Sequence, residues 1–539
     1  MWVLLSLVIF LGSFLRFGFL DKVPPELFGD EVDVGYQAAS LLHTGRDLYG
    51  QVMPTYIHSL SEWRAPLLMY ATVPTIAIWG NSQTAVRLPQ VIFGTLAPLL
   101  LFILAYQTTK SKSISLLSAL SLALMPWHIH YSRVAFEVVL MLDLIMLGTL
   151  LFLKQRFELC VLSFALSMYT YSTAVVFTPL WVIILMIFNR RFPPWRSGVL
   201  FVMLLVPFIL NLTTGHAQDR FNSLSAFNNP VLIKTINLLR NQDPSYQGYL
   251  WHNKVETYFS ILLGNYLRAF SSEFLFIRGD PTYRHSIQII GQLLPITAPF
   301  VFLGLWSLVK RRQWLWLIWL ALAPLPATFT VDGGFHATRL FLMIPSVSVA
   351  TGIGVLQFFQ ILAPRFRLMV SGLLSLGFIL YFSLIAHYYI VHYAKDSWRW
   401  WHVGYQSALT ELARIAPNYQ RVFINNTYEP SLVRFLFWTN YPPAKFQQQF
   451  TLDQPVDDIV ANYNGFSLDD KYFFGQFSSP AQKIGIANYL LPDSLYLISQ
   501  RDDVAGDWDW RKNPPDNVVV LFTSTNAYDS PILYLITKK

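Results

Sequence analysis

Long apolar runs separated by short polar connections fill the first 390 residues of the chain. Roughly eleven of these runs approach the length of about 20 residues that a helix needs to cross a bilayer. They predict spanning helices at about 1–20, 86–108, 113–127, 134–153, 158–171, 174–189, 198–213, 287–309, 313–330, 337–361 and 367–390. The short run at 66–80 contains prolines, so we expect a helix at the membrane interface, with a spanning helix as the alternative.

Composition supports a membrane protein. Only 13% of the 539 residues are charged and 54% are hydrophobic, with a mean hydropathy of +0.40, whereas about 25% of a soluble globular chain is charged. A soluble fold has too little interior to bury this much apolar surface, which excludes a soluble enzyme, a nucleic-acid-binding module and a disordered protein. The single cysteine, Cys160, excludes an internal disulfide and a cysteine metal cluster.

Basic residues concentrate in alternate short connections between the runs, where only one acidic residue, Glu158, accompanies them. They are Lys110, Lys112, Lys154, Arg156, Arg190, Arg191, Arg196, Lys310, Arg311, Arg312, Arg365 and Arg367. The positive-inside rule places these connections and the N-terminus in the cytoplasm. Segments 21–85, 128–133, 214–286 and 331–336 then face outside, together with the tail. The net charge of +8 is therefore an orientation signal and indicates no nucleic-acid partner.

The tail from residue 391 to 539 has a different pattern. It opens with the aromatic sequence SWRWWHVGY, which suits a membrane interface, and continues with the strand-like runs RVFIN, SLYLIS and NVVVLFT and a helical ELARIA stretch. We therefore predict a polytopic α-helical membrane module over 1–390, with large outer loops at 21–85 and 214–286, followed by an extracytoplasmic α/β domain over 391–539.

An acidic cluster follows the first predicted span. Asp30, Glu31 and Asp33 lie in FGDEVDVGYQ, and a helix beginning at Asp30 places Asp30, Asp33 and Gln37 on one face with Glu31 off it. Partial burial at the membrane boundary adjusts the pKa of a carboxylate toward that of a general base. The alternative is that Asp30 only caps the helix.

A second polar motif, HIHYSRVAFE, opens a predicted span. Arg133 and Glu137 are four residues apart, which predicts a shared helical face, and an ion pair that only holds the helix bundle together is the alternative. His128 and His130 are of metal-ligand type, but two histidines two residues apart without a third ligand are a weak signal, so a packing role at the interface is the stronger interpretation.

Two further outward-facing motifs, FIRGDPTYRHSIQ and DGGFHATRLF, supply donors for an anionic group. The candidate residues are Arg278, Arg284, His285, His336 and Arg339. Asp280 is placed to orient one of them, and His336 and Arg339 are predicted to share a face at a helix end. The alternatives are a solvated turn around Asp280 and an arginine that extends its charge to the interface.

These motifs, read in order, resemble a known superfamily. The sequences FGDEVDVGYQAASLLHTGRDLYG, RAPLLMYATV, GNSQTAVRLPQVIFGTLAPLLL, HYSRVAFEVVLML, YTYSTAVVFTPLW, IRGDPTYRH and FHATRLFLMIPSVSVATGIGVL are similar to motifs of the GT-C membrane glycosyltransferases. The resemblance is to the branch of protein O-mannosyltransferases and the bacterial aminoarabinose transferase that modifies lipid A. It departs at Arg64–Ala65–Pro66, where the branch commonly has two prolines, and the tail beyond 391 carries no such motif.

The resemblance implies an enzyme that moves a sugar from a polyprenyl-phosphate donor to a hydroxyl of a protein, lipid or glycan acceptor outside the cytoplasm, with inversion. It implies Asp30 as general base, with Glu31 orienting it or acting in its place. Arg133, Glu137 and Asp33 would position the acceptor or the loop, and the five cationic residues would bind the lipid phosphate. No cofactor or metal is assigned, although a divalent metal is kept open.

The predicted topology agrees with this, because the candidate residues face outward and no nucleotide-binding loop is present. We expect a multi-pass protein of a bacterial plasma membrane. A lipid or glycan transporter, or flippase, is the alternative function, which clustering of the charges on one side disfavours.

Overall fold

The computed structural model describes residues 1–59, 63–213, 225, 227, 230–243, 247–428, 430–450, 455–504, 506 and 508–539. Contacts divide the chain into two compact units, and the first contains Met1–Gly18, Trp63–Leu68 and Gln90–Ala386. The second contains Phe19–Glu62, Met69–Pro89 and His387–Lys539. The acidic segment after the first helix therefore groups with the C-terminal domain rather than with the helical bundle.

The described part of the chain up to residue 387 is predominantly helical, with two short strands. The helices are α1 (Trp2–Phe17), α2 (Gly29–Thr44), α3 (Leu67–Trp79), α4 (Gln83–Thr109), α5 (Lys112–Ala123), α6 (Pro126–Ser132), α7 (Val138–Leu153), α8 (Phe157–Met168), α9 (Ser172–Asn189), α10 (Trp195–Thr213), α11 (Pro230–Gln242), α12 (Gln247–Trp251), α13 (Lys254–Arg268), α14 (Ala298–Lys310), α15 (Trp314–Leu322), α16 (Leu325–Thr328), α17 (Ile344–Ile361) and α18 (Pro364–His387). The short strands are β1 (Ile57–His58) and β2 (Trp63–Arg64).

Four helical segments among the described residues are long and apolar enough to cross a membrane. They are Gln83–Thr109, Ser172–Asn189, Phe341–Ile361 and Pro364–Asp396. Eight shorter apolar helices accompany them. The polytopic helical class is confirmed, whereas the predicted number of eleven spans is not.

Several predicted spans are shorter helices than the apolar runs suggest. The run at 313–330 divides into α15 and α16 around Pro324, which has no N–H to continue a helix. The run at 287–309 becomes helical only at Pro295, because the backbone before it pairs with another segment. Gln292 and Leu293 donate their N–H groups to the carbonyls of Phe274 and Leu275.

The C-terminal domain contains a seven-stranded sheet with flanking helices. Its elements are α19 (Tyr393–Asp396), α20 (Tyr405–Ile415), β3 (Arg421–Asn425), α21 (Ser431–Trp438), α22 (Pro443–Gln449), β4 (Val456–Val460), β5 (Tyr463–Leu468), β6 (Tyr472–Phe477), α23 (Ser479–Ile484), β7 (Ser494–Ser499), β8 (Val518–Thr525) and β9 (Pro531–Lys538). The strand order is β4-β5-β6-β3-β7-β9-β8. Central β3 pairs parallel with β6 and β7, and the other pairs are antiparallel. The predicted strands RVFIN, SLYLIS and NVVVLFT are all present.

Helices α14 and α17 approach so closely that their backbones touch at glycines. A Cβ added to Gly304 would lie 1.8 Å from the carbonyl oxygen of Ala350, and one added to Gly354 would lie 1.8 Å from that of Phe300. Small residues permit this approach between apolar helices, where dispersion contacts rather than water exclusion stabilise the pair.

We therefore expect Gly304→Ala to lower the thermal unfolding midpoint in detergent, with a loss of about 1–3 kcal/mol from overpacking. Gly372→Ala on α18 is the matched control, because nothing lies within 4 Å of the added Cβ. The control should leave the midpoint unchanged or raise it, since alanine favours helix over glycine. Equal midpoints for the two variants would contradict the close approach.

The buried Glu26 connects the segment after α1 to the start of α20. Its Oε2 accepts a 2.7 Å hydrogen bond from the N–H of Gly404, and its Oε1 accepts one from that of Gln406. Burial raises the pKa of Glu26 from 4.5 to about 7 despite these bonds. A raised carboxyl pKa favours folding below the unfolded value and loses that contribution as the pH rises through the folded value.

Relative to a Glu26→Gln variant, we expect the wild type to lose up to about 3 kcal/mol of unfolding free energy between pH 4.5 and 7. Thermal midpoints of both proteins across this range measure the difference. A Glu256→Gln variant, altered at an exposed glutamate, should follow the wild type. Parallel pH profiles for wild type and Glu26→Gln would show that Glu26 does not titrate there.

Candidate functional site

The acidic cluster lies at the N-terminus of α2, in the second unit. Helix α2 begins at Gly29 with Phe28 as its N-cap, so Asp30 does not cap the helix and that alternative is wrong. Asp30 is half-buried in the first turn, where the partial positive charge of a helix N-terminus favours a carboxylate.

Glu31, the next residue, is fully buried in an ion pair with Arg87 at the start of α4. Arg87 Nε lies 2.9 Å from Glu31 Oε1, and Arg87 Nη2 lies 3.0 Å from Oε2, so the pairing is bidentate. Neither side chain is exposed to solvent. Both carboxylate oxygens of Glu31 are therefore engaged by one guanidinium.

The remaining donors of Arg87 fix the segment between α1 and α2. Nη1 donates to the carbonyl of Pro24 at 2.7 Å, and Nη2 donates to that of Glu26 at 2.9 Å. The guanidinium also lies over the Trp401 ring at 5.7 Å. Sequence reasoning did not assign Arg87 to the site. Its signal was an arginine inside the apolar sequence QTAVRLPQV, where an unpaired charge would be costly.

Asp33 lies one turn along α2 and is buried. Its Oδ1 is 3.4 Å from Nε2 of Gln37, as the predicted shared face requires. Gln37 also accepts a hydrogen bond from the N–H of Leu48 at 2.9 Å and donates one to the carbonyl of His58 at 3.0 Å. Asp33 thus belongs to a network that holds the following loop against the helix.

In the first unit, Arg133 and Glu137 do not share a helical face, and that prediction is wrong. Helix α6 ends at Ser132 and α7 begins at Val138, so both residues lie in the turn between them. The physical reason is a competing interaction, because Arg133 Nη1 donates to the carbonyls of Leu15 and Arg16 at the end of α1, at 2.9 and 3.0 Å. Arg133 therefore satisfies helix-terminal carbonyls, and half-buried Glu137 leads into α7.

His128 and His130 bind different partners. His128 Nδ1 lies 2.8 Å from Arg16 Nη2, and His130 Nε2 lies 2.8 Å from the carbonyl oxygen of Arg284. A metal site formed by this pair is not supported. His130 instead connects α6 to the loop that carries the cationic residues.

That loop contains Asp280, which forms the centre of a second polar cluster. Its Oδ2 lies 3.0 Å from His285 Nδ1 and accepts the N–H of Ala337 at 2.9 Å, while its Oδ1 accepts the N–H and hydroxyl of Thr282. The rings of His285 and His336 are 4.8 Å apart. Burial alone would raise the pKa of Asp280, but the adjacent His285 lowers it to about 2.

His336 has a different environment. Burial, together with the nearby charges of Arg339 and His285, holds the pKa of His336 well below its usual range, so the ring is neutral at pH 7. Its Nδ1 is buried and has no hydrogen-bond partner. Asp280 and His336 therefore combine an anion with an unsatisfied ring nitrogen in one small volume.

His336 and Arg339 do not share a helix face as predicted, because the helical segment begins only at Phe341. The N–H groups of Arg339 and Leu340 both bond to the carbonyl of His336 in a turn, and that of Ala337 bonds to Asp280 instead of continuing a helix. Arg339 Nη1 donates to Thr330 Oγ1 at 2.7 Å.

The other two predicted cations have distinct surroundings. Arg278 is largely exposed, with Nε 3.3 Å from Glu273 Oε1. Arg284 is half-buried and lies next to His285 in the same loop. Asp280 and His285 of this loop therefore lie close to His336 of the segment before Phe341. Arg284 belongs to the first of these segments and Arg339 to the second. Arg278 instead pairs with Glu273 at the surface.

An apolar cavity of about 610 Å³ lies within the first unit, between α1, α5, α14, α17 and α18. Leu11, Leu120, Phe300, Val355 and Phe378 contribute to its wall, and its few polar groups are hydroxyls such as Ser375. Its chemistry suits a hydrocarbon chain. The sequence indicated apolar helices but not where their packing would leave a space.

Residues 64–213 match the family described as dolichyl-phosphate-mannose-protein mannosyltransferase. The fold of the chain is similar to that of ArnT from Cupriavidus metallidurans bound to undecaprenyl phosphate, with 11% identity, a TM-score of 0.52 and coverage of 99% of this chain and 97% of that one. The apo state of the same protein gives a TM-score of 0.51 at equal coverage.

The archaeal oligosaccharyltransferase AglB from Archaeoglobus fulgidus, in complex with an inhibitory peptide and a dolichol-phosphate, gives a TM-score of 0.47 at 12% identity, covering 81% of this chain and 63% of that one. No curated protein sequence matches the chain. The family match over residues 64–213 and the ArnT-like fold of almost the whole chain agree with the resemblance seen in its motifs. Residues 64–213 are therefore similar to the dolichyl-phosphate-mannose-protein mannosyltransferase family, and the chain as a whole has a fold similar to that of ArnT.

Proposed function

We propose that the protein transfers a sugar from a polyprenyl-phosphate donor to an acceptor hydroxyl, with inversion at the anomeric carbon. The observation that carries the proposal is the unequal environment of two adjacent carboxylates. Arg87 engages both oxygens of Glu31, which is fully buried. Asp30 lies about 100° away around the same helix turn and is half-buried. This division assigns Asp30 as the base and Glu31 as the residue that positions it.

In the reaction, Asp30 accepts the proton of the acceptor hydroxyl as its oxygen bonds to the anomeric carbon. The bond between that carbon and the phosphate oxygen breaks, and the polyprenyl phosphate leaves with the electron pair. Attack opposite the leaving group inverts the configuration. A positioned base of this kind typically contributes about 10²–10⁴-fold to the rate.

The leaving phosphate needs cations that meet its developing charge. We assign this role to Arg284 and Arg339, with His285 and the neutral His336 as hydrogen-bonding groups beside them, and exclude Arg278 because it is exposed and paired with Glu273. Asp33, Arg133 and Glu137 are positioning residues, since Asp33 bonds to Gln37 and Arg133 to backbone carbonyls.

The apolar cavity between α1 and α18 supports a lipid-linked donor, because its walls match an isoprenoid chain. The solved ArnT structure bound to undecaprenyl phosphate supports the same donor class. The acceptor is a protein, lipid or glycan hydroxyl. We propose a bacterial plasma membrane as its location, and the distribution of its basic connections supports a cytoplasmic N-terminus and an extracytoplasmic C-terminal domain.

We expect Asp30→Asn to reduce transfer by at least about 10²-fold, because an amide cannot accept the proton. The thermal midpoint should fall by less than in a variant that breaks the buried Glu31–Arg87 pair, since Asp30 is only half-buried. Release of polyprenyl phosphate from a polyprenyl-phosphate sugar measures the reaction. Retained turnover in this variant would contradict the assignment of Asp30.

The matched control is Glu31→Gln at the adjacent position. It leaves Arg87 buried without its counter-charge, which costs about 3–5 kcal/mol in comparable pairs. We therefore expect a clear fall in the thermal midpoint, and a loss of activity that exceeds the loss of folded protein because Glu31 positions Asp30. An unchanged midpoint would show that the pair is not what fixes the helix.

Replacing Arg339 by Gln should weaken donor binding about tenfold or more, since an arginine contributes a charge-assisted hydrogen bond to phosphate. Titration with radiolabelled polyprenyl phosphate in nanodiscs measures the dissociation constant. Arg365→Gln is the control, because Arg365 is exposed in a predicted cytoplasmic connection. Equal affinities for both variants would remove Arg339 from the phosphate site.

A further inference from the structure

Three side chains of metal-ligand type converge in the first unit. Asp280, His285 and His336 each offer one ligand atom, and these atoms all lie within 4.8 Å of one another. His336 comes from a segment about fifty residues beyond the other two, so the cluster is formed by the fold and is not a local sequence motif. Two imidazoles and a carboxylate are a complete set of protein ligands for a three-residue metal site.

The environment of His336 points to a missing partner. Its Nδ1 is buried and has no hydrogen-bond partner, and a buried unsatisfied polar atom costs about 1–3 kcal/mol. The ring lies beside another histidine and close to a carboxylate. A cation bound between them would use the nitrogen lone pair that the protein leaves unsatisfied.

Neighbouring side chains donate hydrogen bonds to Asp280 and His285 and so fix their positions. Thr282 donates twice to Asp280 Oδ1, and Ser286 Oγ donates to the Asp280 carbonyl at 2.9 Å. Gln292 Nε2 donates to the carbonyl of His285 at 3.2 Å. Such hydrogen bonds orient ligands in metal sites and tune their affinity.

The spacing requires only a small adjustment. Zinc bonds to imidazole and carboxylate are about 2.0–2.2 Å long, so tetrahedral ligand atoms lie about 3.3–3.5 Å apart. The atoms in this cluster span up to 4.8 Å, and the Asp280–His285 contact is already 3.0 Å. Zinc binding would therefore require the most distant ligand atoms to move closer by about 1.5 Å.

We propose that Asp280, His285 and His336 bind Zn²⁺, with the fourth position open to water or an anionic oxygen. Two imidazole ligands favour zinc over magnesium and calcium, which prefer all-oxygen sites. With the ion bound, the histidines would act on a phosphate through the metal rather than by direct hydrogen bonds. The binding step itself stands independently of the proposed transferase activity.

The test is zinc binding by the full chain, purified without a histidine tag, freed of metal with a chelator and reconstituted in nanodiscs. We expect one equivalent of zinc after incubation with zinc chloride and desalting, measured by mass spectrometry of the metal. The thermal midpoint should rise by several degrees, because the ion binds only the folded chain.

Two variants and a control separate ligand loss from misfolding. His336→Ala removes the unsatisfied nitrogen and should fold normally without zinc, yet bind zinc at least about tenfold more weakly and lose the zinc-dependent rise. Asp280→Asn should weaken zinc binding to a similar extent. Its thermal midpoint without zinc should also be lower than that of the wild type, since Asp280 organises its loop through hydrogen bonds. His252→Ala alters a half-exposed histidine paired with Asp243 and should bind zinc like the wild type.

Less than half an equivalent of zinc in the wild type, or His336→Ala binding as tightly as His252→Ala, would overturn the site. Neither outcome depends on transfer, so a failed zinc site and a failed transferase assignment are distinguishable. Normal zinc binding with no release of polyprenyl phosphate would support the metal site and contradict the proposed function alone.

Discussion

The buried pair between Glu31 and Arg87 is the constraint on which the acidic site depends. Removing two opposite charges from water costs several kcal/mol for each ion, and the cost is offset only where the geometry is good and the remaining donors are bonded. Arg87 meets that condition by bonding the carbonyls of Pro24 and Glu26 as well as both oxygens of Glu31. The start of α2 is thereby fixed, and Asp30 is presented from a defined turn.

In the first unit, the buried carboxylate of Asp280 is likewise satisfied by hydrogen-bond donors, whereas a nearby nitrogen of His336 is not. Every described interaction of the Asp280 carboxylate is with a donor from the backbone, Thr282 or His285. His336 Nδ1, close to it, has no such partner. Other buried nitrogens among the described residues, such as Trp127 Nε1, also have no partner, but the nitrogen of His336 is the one of them that lies in a cluster of metal-ligand side chains.

Hydrophobic patterning predicted the helical class and the sheet domain, because both follow from local periodicity and length. It overestimated helices at 287–309 and 313–330, where backbone pairing at Gln292 and a break at Pro324 decide the outcome. The candidate residues were found as residue types, but their roles needed partners distant in sequence. Arg133 left its expected helix because it bonds carbonyls at the end of α1, 117 and 118 residues away.

The acidic pair shows why spacing alone does not assign chemistry. Asp30 and Glu31 are neighbours with nearly equal intrinsic acidity, and the sequence left both as candidate bases. A helix turns about 100° per residue, so adjacent side chains meet different surroundings. Glu31 contacts Arg87 and is completely buried, whereas Asp30 is half-buried in the first turn of the helix. Because the arginine is 56 residues away in sequence, only the fold determines which of the two carboxylates it neutralises.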